Sequence, residues 1–133
     1  MTDALEHLNE REKAALGDYL HRLRTAYGSR VMHVFLFGSK VRGDASEESD
    51  IDLLVVVDSD DWRFQKELGW VGTQIDLEYD VVLSDIIVGS ERYAMMQRYG
   101  EPLYRSVERE GIDIWTTRPE PLSASALKDV KKT

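Results

Sequence analysis

The segment Phe37-Gly38-Ser39-Lys40-Val41-Arg42-Gly43-Asp44-Ala45-Ser46-Glu47-Glu48-Ser49-Asp50-Ile51-Asp52 governs the reading of the whole chain. It joins two apolar, β-rich runs, Val31 to Phe37 (VMHVFLF) and Ile51 to Val57 (IDLLVVV), and each reads as a buried strand. Asp50 and Asp52 stand two apart at the start of the second run, so their carboxylates project from one sheet face. No basic residue lies between Gly43 and Asp61 to relieve their repulsion. A divalent cation would relieve it, and Mg²⁺ takes hard carboxylate oxygens while sharing its shell with phosphates and water. The run from Leu53 to Val57 is purely apolar, so the pair caps a buried strand, where charge is otherwise costly. At the other end, Gly38 lets the backbone approach a ligand closely. The amides that follow a strand-to-helix turn, with the Ser39 hydroxyl, are donors suited to phosphate oxygens. Arg42 is placed either for phosphate or for an ion pair with Asp44 or Glu47, and Gly43 for a tight turn.

The flanks supply the remaining elements. Residues 9–28 read as a helix: Asn9 and Glu12 have capping-box spacing, and Leu16, Tyr19, Leu20, Leu23 and Tyr27 share a face. Gly28 is placed to end it in the left-handed conformation. Phe64, Leu68, Val71 and Ile75 are spaced four, three and four apart, which predicts a second helix opening near Ser59–Asp61. Leu77 to Leu83 (LEYDVVL) reads as a third strand, carrying Glu78 and Asp80 on one face. Asp80 precedes Val81-Val82-Leu83 and is the stronger candidate for a third carboxylate beside Asp50 and Asp52. Residues 84–100 mix helical stretches with two glycines. Glu101-Pro102 opens a short helix that Gly111 closes, and Ile112 to Trp115 alternates like a final strand. Strands alternating with helices point to an α+β or α/β sandwich, its sheet covered mainly on one face.

Composition bounds the rest. A chain of 133 residues, 42 % hydrophobic and 32 % charged, has room for one domain with a real core. It contains no cysteine, which excludes disulfides, thiolate metal sites and a catalytic thiol. Seventeen Lys and Arg against twenty-five Asp and Glu leave a net charge of −8, a surface that repels polyphosphate backbones, so direct nucleic-acid binding is not expected. The acidic N-terminus lacks a signal-type apolar run, and Leu53–Val57, the longest such run, is too short for a bilayer. These features point to the cytoplasm, with no membrane partner. From Arg118 onward the chain is rich in small polar residues, with four basic residues against Glu120 and Asp129, and reads as a flexible tail (118–133) after a single domain (1–117).

Strand, Gly-Ser, ten residues, Asp-x-Asp on a second strand, then an acid on a third: this order resembles the nucleotidyltransferase superfamily that includes DNA polymerase beta, whose signature is Gly-Ser-x10-Asp-x-Asp. Here the signature is Gly38-Ser39, Lys40 to Ser49, and Asp50-Ile51-Asp52. Arg42-Gly43, Ser49-Asp50-Ile51-Asp52-Leu53, Asp80-Val81-Val82 and Glu110-Gly111-Ile112-Asp113-Ile114-Trp115 are similar to the small prokaryotic branch, the minimal nucleotidyltransferases. The likeness covers roughly residues 10 to 115. It implies a polymerase beta-like fold, with two Mg²⁺ ions on Asp50, Asp52 and Asp80 and with ATP held by Gly38, Ser39, Arg42 and Ser49. It also implies a partner, a HEPN-domain ribonuclease toxin, with AMP moved from ATP to a tyrosine of that toxin in a hetero-oligomer. In this account Asp80 ligates one ion and helps remove the acceptor's proton. Two other readings stand beside it: transfer to a small acceptor such as an aminoglycoside, and an antitoxin that acts by contact alone with a vestigial site. His7 and His21 read as surface residues and His33 as a satisfied strand histidine. Trp62, Trp70 and Trp115 read as packing or interface residues.

Overall fold

The capping box at Asn9 forms as the spacing predicts. In the computed structural model, which describes residues 5–43 and 49–116, the Asn9 side chain accepts the Glu12 N–H at 2.8 Å, and Glu12 accepts the Asn9 N–H at 2.9 Å. Helix α1 (Glu10–Tyr27) follows, burying Leu16, Tyr19, Leu20 and Leu23. Gly28 departs from expectation. Its φ is −49°, right-handed, and the chain passes directly into a 3₁₀ turn, Gly28–Arg30, rather than reversing through a left-handed cap.

Strand β1 (Val31–Phe37), the single-turn helix α2 (Ser39–Arg42) and strand β2 (Ile51–Val57) coincide with the sequence expectation. Helix α3 (Trp62–Tyr79) is capped by Asp61, whose carboxylate accepts the Arg63 N–H, and it buries Phe64, Leu68, Val71 and Ile75. It also runs further than the spacing suggested. Tyr79 extends the stripe by one more step of four, and its hydroxyl donates to Asp18 at 2.7 Å. The expected strand Leu77–Leu83 is therefore a correction. Glu78 belongs to α3, Asp80 is its left-handed C-cap (φ 56°), and strand β3 begins at Leu83 and runs to Gly89. Strand β3 and helix α4 (Ser90–Tyr99) resolve the ambiguous stretch, and helix α5 (Pro102–Glu110) forms as expected. Strand β4 is only Ile112–Asp113, because the Asp113 carboxylate takes the Trp115 and Thr116 amides and turns the chain.

The sheet order is β3-β2-β1-β4. β2 runs antiparallel to β1 and parallel to β3, and β4 pairs antiparallel with β1. Strand alternation sends Ile51, Leu53, Val55 and Val57 into the larger core with α1 and α3. Leu54 and Val56 face the opposite way, toward Val107 of α5 and Tyr93 of α4, in a smaller cluster. The result is the expected α+β architecture, with the main core on one face and a lighter cover on the other. Among the described residues no helix is long and apolar enough to cross a membrane. Residues 44–48 and the tail expected at 118–133 lie outside the described residues.

Candidate active site

The end of the sheet where β1 stops and β2 starts gathers most of the candidate residues. The β1–β2 register sets Phe37 opposite Asp52, so Gly38 lies just beyond that pair. Its φ is +82°, open to glycine alone in practice, and a Cβ at Gly38 would fall on the Asp52 carboxylate. Glycine is thus required here by close approach to an acid as well as by the turn. Gly43, at φ +86°, closes α2 with its N–H on the Ser39 carbonyl, and the His7 ring lies against it.

Asp50 is exposed one residue ahead of β2, while Asp52 is half-buried within it. The Asp52 carboxyl is pushed above its ordinary value by burial first and then by the Asp50 charge; Arg42 pulls it down, and Glu110 adds to the rise. Two carboxylates in mutual repulsion, one of them exposed, suit a hard cation that completes its shell with phosphates and water. The residues fit Mg²⁺ in that shared mode.

Asp80 does not join them. Its side chain is 96 % exposed and lies 3.8 Å from Arg11. The parallel β2–β3 register places Ser84 beside Asp52. The acid on β3, Asp85, is registered with Leu53 and turns into the α1–α3 core, where the Tyr19 hydroxyl donates to it at 3.1 Å. Among the described residues no group of three His, Cys, Asp or Glu side chains is placed to hold one ion.

Two acids not among the expected site residues lie within electrostatic reach of the pair Asp50 and Asp52. Asp76, near the end of α3, has its carboxyl raised by burial and by the Asp50 charge, against a hydrogen bond from the Leu83 N–H. Glu110 ends α5, and its Oε2 accepts both the Gly38 N–H at 2.8 Å and the Arg42 guanidinium at 2.9 Å. The Gly38 amide is thereby taken. Arg42 pairs with an acid far away in sequence; Asp44 and Glu47, its expected partners, lie outside the described residues. Ser49 is half-buried directly before Asp50. Lys40 points inward, 2 % exposed, with Nζ 2.6 Å from the Glu12 carboxylate, and ties α2 to the start of α1. A groove of about 920 Å³ bordered by Tyr27, Trp62, Lys66 and Trp70 contains none of these residues.

A glycine-serine turn is thus laid against paired aspartates at the mouth of two antiparallel strands. The family model for the nucleotidyltransferase domain matches residues 18–102, and the chain belongs to that family, as a nucleotidyltransferase of the minimal type. Two relatives from Methanocaldococcus jannaschii are similar to it. "Putative protein adenylyltransferase MJ0604" is 34 % identical over 100 residues, covering 75 % of this chain and 94 % of the relative. "Putative protein adenylyltransferase MJ0141" is 33 % identical over 66 residues, or 49 % of this chain and 67 % of the relative.

Proposed function

We propose that this enzyme transfers AMP from ATP to a tyrosine hydroxyl of a partner protein, a HEPN-domain ribonuclease toxin that it neutralises. The observation that carries the reading is the apposition of Gly38 to Asp52, with Asp50 one step outward on the same face. The names of the two archaeal relatives support a protein acceptor.

In the reaction the acceptor oxygen forms a bond to the α-phosphorus, the bond from that phosphorus to the bridging oxygen breaks, and pyrophosphate leaves with the electron pair. Asp50 and Asp52 would hold Mg²⁺, which when bound would offset the charge of the triphosphate and of the attacking oxygen. Ser39 and Arg42 orient the outer phosphates, and Ser49 stands at the entry to the aspartate pair. With Asp80 turned away, the sheet carboxylates open to the acceptor's proton are Asp50 and Asp52 themselves. Positioning and charge stabilisation carry the rate.

The placement of Asp80 on an exposed helix cap favours a second reading, neutralisation by binding alone. One experiment separates them. The protein is incubated with α-labelled ATP, Mg²⁺ and the product of the neighbouring reading frame. Label on a tyrosine of the neighbour, lost with Asp50→Asn/Asp52→Asn, is the expected result. Label on an added aminoglycoside points to a small acceptor. Inhibition of the neighbour without ATP, unchanged in the double variant, overturns the enzymatic reading.

A further inference from the structure

We propose that Glu110 is a positioning residue for nucleotidyl transfer: through one carboxylate oxygen it fixes the Gly38 amide and the Arg42 guanidinium, and so presents Arg42 to the incoming triphosphate beside Asp52. The inference rests on the ATP-binding reading of the site.

Topology makes the contact. β4 pairs with β1 as Leu36 with Ile112 and Phe35 with Asp113, and continuing that register by two residues brings Glu110 opposite Gly38. The last residue of α5 is thereby delivered to the glycine-serine turn, 72 positions away in sequence. Its two hydrogen bonds, 2.8 Å to the Gly38 N–H and 2.9 Å to Arg42, share Oε2. The members of this bridge differ in freedom: the Glu110 side chain is 11 % exposed, that of Arg42 47 %. Glu110 is the anchor, and Arg42 is held by it at the solvent boundary, where phosphate would arrive.

The choice of a carboxylate also has a physical reading. Glutamine would accept the same two hydrogen bonds without repelling Asp52, whereas Glu110 adds negative charge to a site already holding two acids. That charge strengthens the bond to Arg42, since charge-assisted pairs exceed neutral ones, and it sets the guanidinium before the nucleotide binds. Ordering a long cationic side chain in advance lowers the entropic cost of binding. Glu110 acts through Gly38 and Arg42 and does not itself contact the nucleotide.

The test uses the full chain and calorimetric binding of α,β-methylene-ATP with Mg²⁺, for wild type, Glu110→Ala, Glu110→Gln, Glu110→Asp, Arg42→Ala and the Glu110→Ala/Arg42→Ala double variant, each also melted. Glu110→Ala is expected to weaken binding about tenfold, and Glu110→Gln, which keeps reach and acceptor, to stay within about threefold of wild type. Glu110→Asp is one methylene short of both donors and is expected to bind more weakly than Glu110→Gln. In the Arg42→Ala background Glu110→Ala is expected to have little further effect. Binding by Glu110→Ala equal to wild type, or a full tenfold loss in the Arg42→Ala background, overturns the inference. If Glu110→Ala does not fold, the order of the Gln and Asp variants decides, and Asp binding as tightly as Gln overturns it. A wild type that binds no nucleotide removes the ATP-site reading and this inference together; a wild type that binds, with indifferent variants, removes only the inference.

Discussion

Replacing Asp85 by Asn is expected to give this protein a stability gain that depends on pH. Burial raises the Asp85 carboxyl to about 6 from 3.8; hydrogen bonds from the Tyr19 hydroxyl and from its own amide oppose the rise, and the Asp76 charge adds to it. A carboxyl raised on folding stabilises the native state fully below its unfolded value, and that contribution is lost as pH climbs through the folded one. The window is therefore about pH 4 to 6. At about 1.36 kcal/mol per unit, a shift of about two units gives a ceiling of about 3 kcal/mol, of which about 2 falls between pH 4.5 and 7.5. The group is half-buried, and solvent screening lowers the expected figure to about 1–2 kcal/mol. The Tyr19 hydroxyl, held protonated by burial and by the Asp85 charge, still finds an acceptor in the Asn amide oxygen. Urea denaturation of wild type and Asp85→Asn at pH 4.5 and 7.5 measures the effect, the difference between the proteins moving in favour of the variant at the higher pH. A difference that stays constant with pH, or that moves toward wild type, refutes the linkage argument.

Three other expectations follow from the same structure. Gly38→Ala combines a left-handed φ with a methyl placed on the Asp52 carboxylate, and is expected to cost about 1–3 kcal/mol in denaturant titration and to lower transfer by displacing Asp52. Lys40→Met strands the buried Glu12 carboxylate and is expected to cost about 3–5 kcal/mol, most of it recovered when Glu12→Gln is added, as urea melts of the three variants would read. Asp80→Asn, at an exposed helix cap, is expected to change initial transfer rates by less than about twofold; a loss of a hundredfold would restore Asp80 to the site.

Residues whose partners are close in sequence were legible, and those joined by register were not. The runs ending at Phe37 and starting at Ile51 are apolar, β-branched and sharply bounded, so both strands could be placed from the sequence pattern. The same holds for Asn9 and Glu12, whose reciprocal bonds span three residues. The misreading at 77–83 has a specific cause. Leu77-Glu78-Tyr79-Asp80-Val81 alternates as a strand does, yet Tyr79 also continues the stripe from Ile75 at helical spacing, and the longer period won. Placing Asp80 on a strand made it a metal ligand on paper, whereas a left-handed helix cap turns it to solvent. Glu110 stood in the Glu110–Trp115 segment that resembles the family, but nothing local tied it to Gly38, because that contact exists only once β4 has paired with β1. The burial of Lys40 was equally hidden, since its counter-charge already served a helix cap.

Paramagnetic titration of the protein with Mn²⁺, in the presence and absence of ATP, tests most directly whether the aspartates at the start of β2 bind the cation that brings the triphosphate. Wild type is expected to bind Mn²⁺ weakly alone and more tightly with nucleotide. Asp50→Asn/Asp52→Asn should lose that binding while melting at or above the wild-type temperature, because like-charge repulsion is relieved. A double variant that still binds Mn²⁺ with ATP as wild type does would contradict the account.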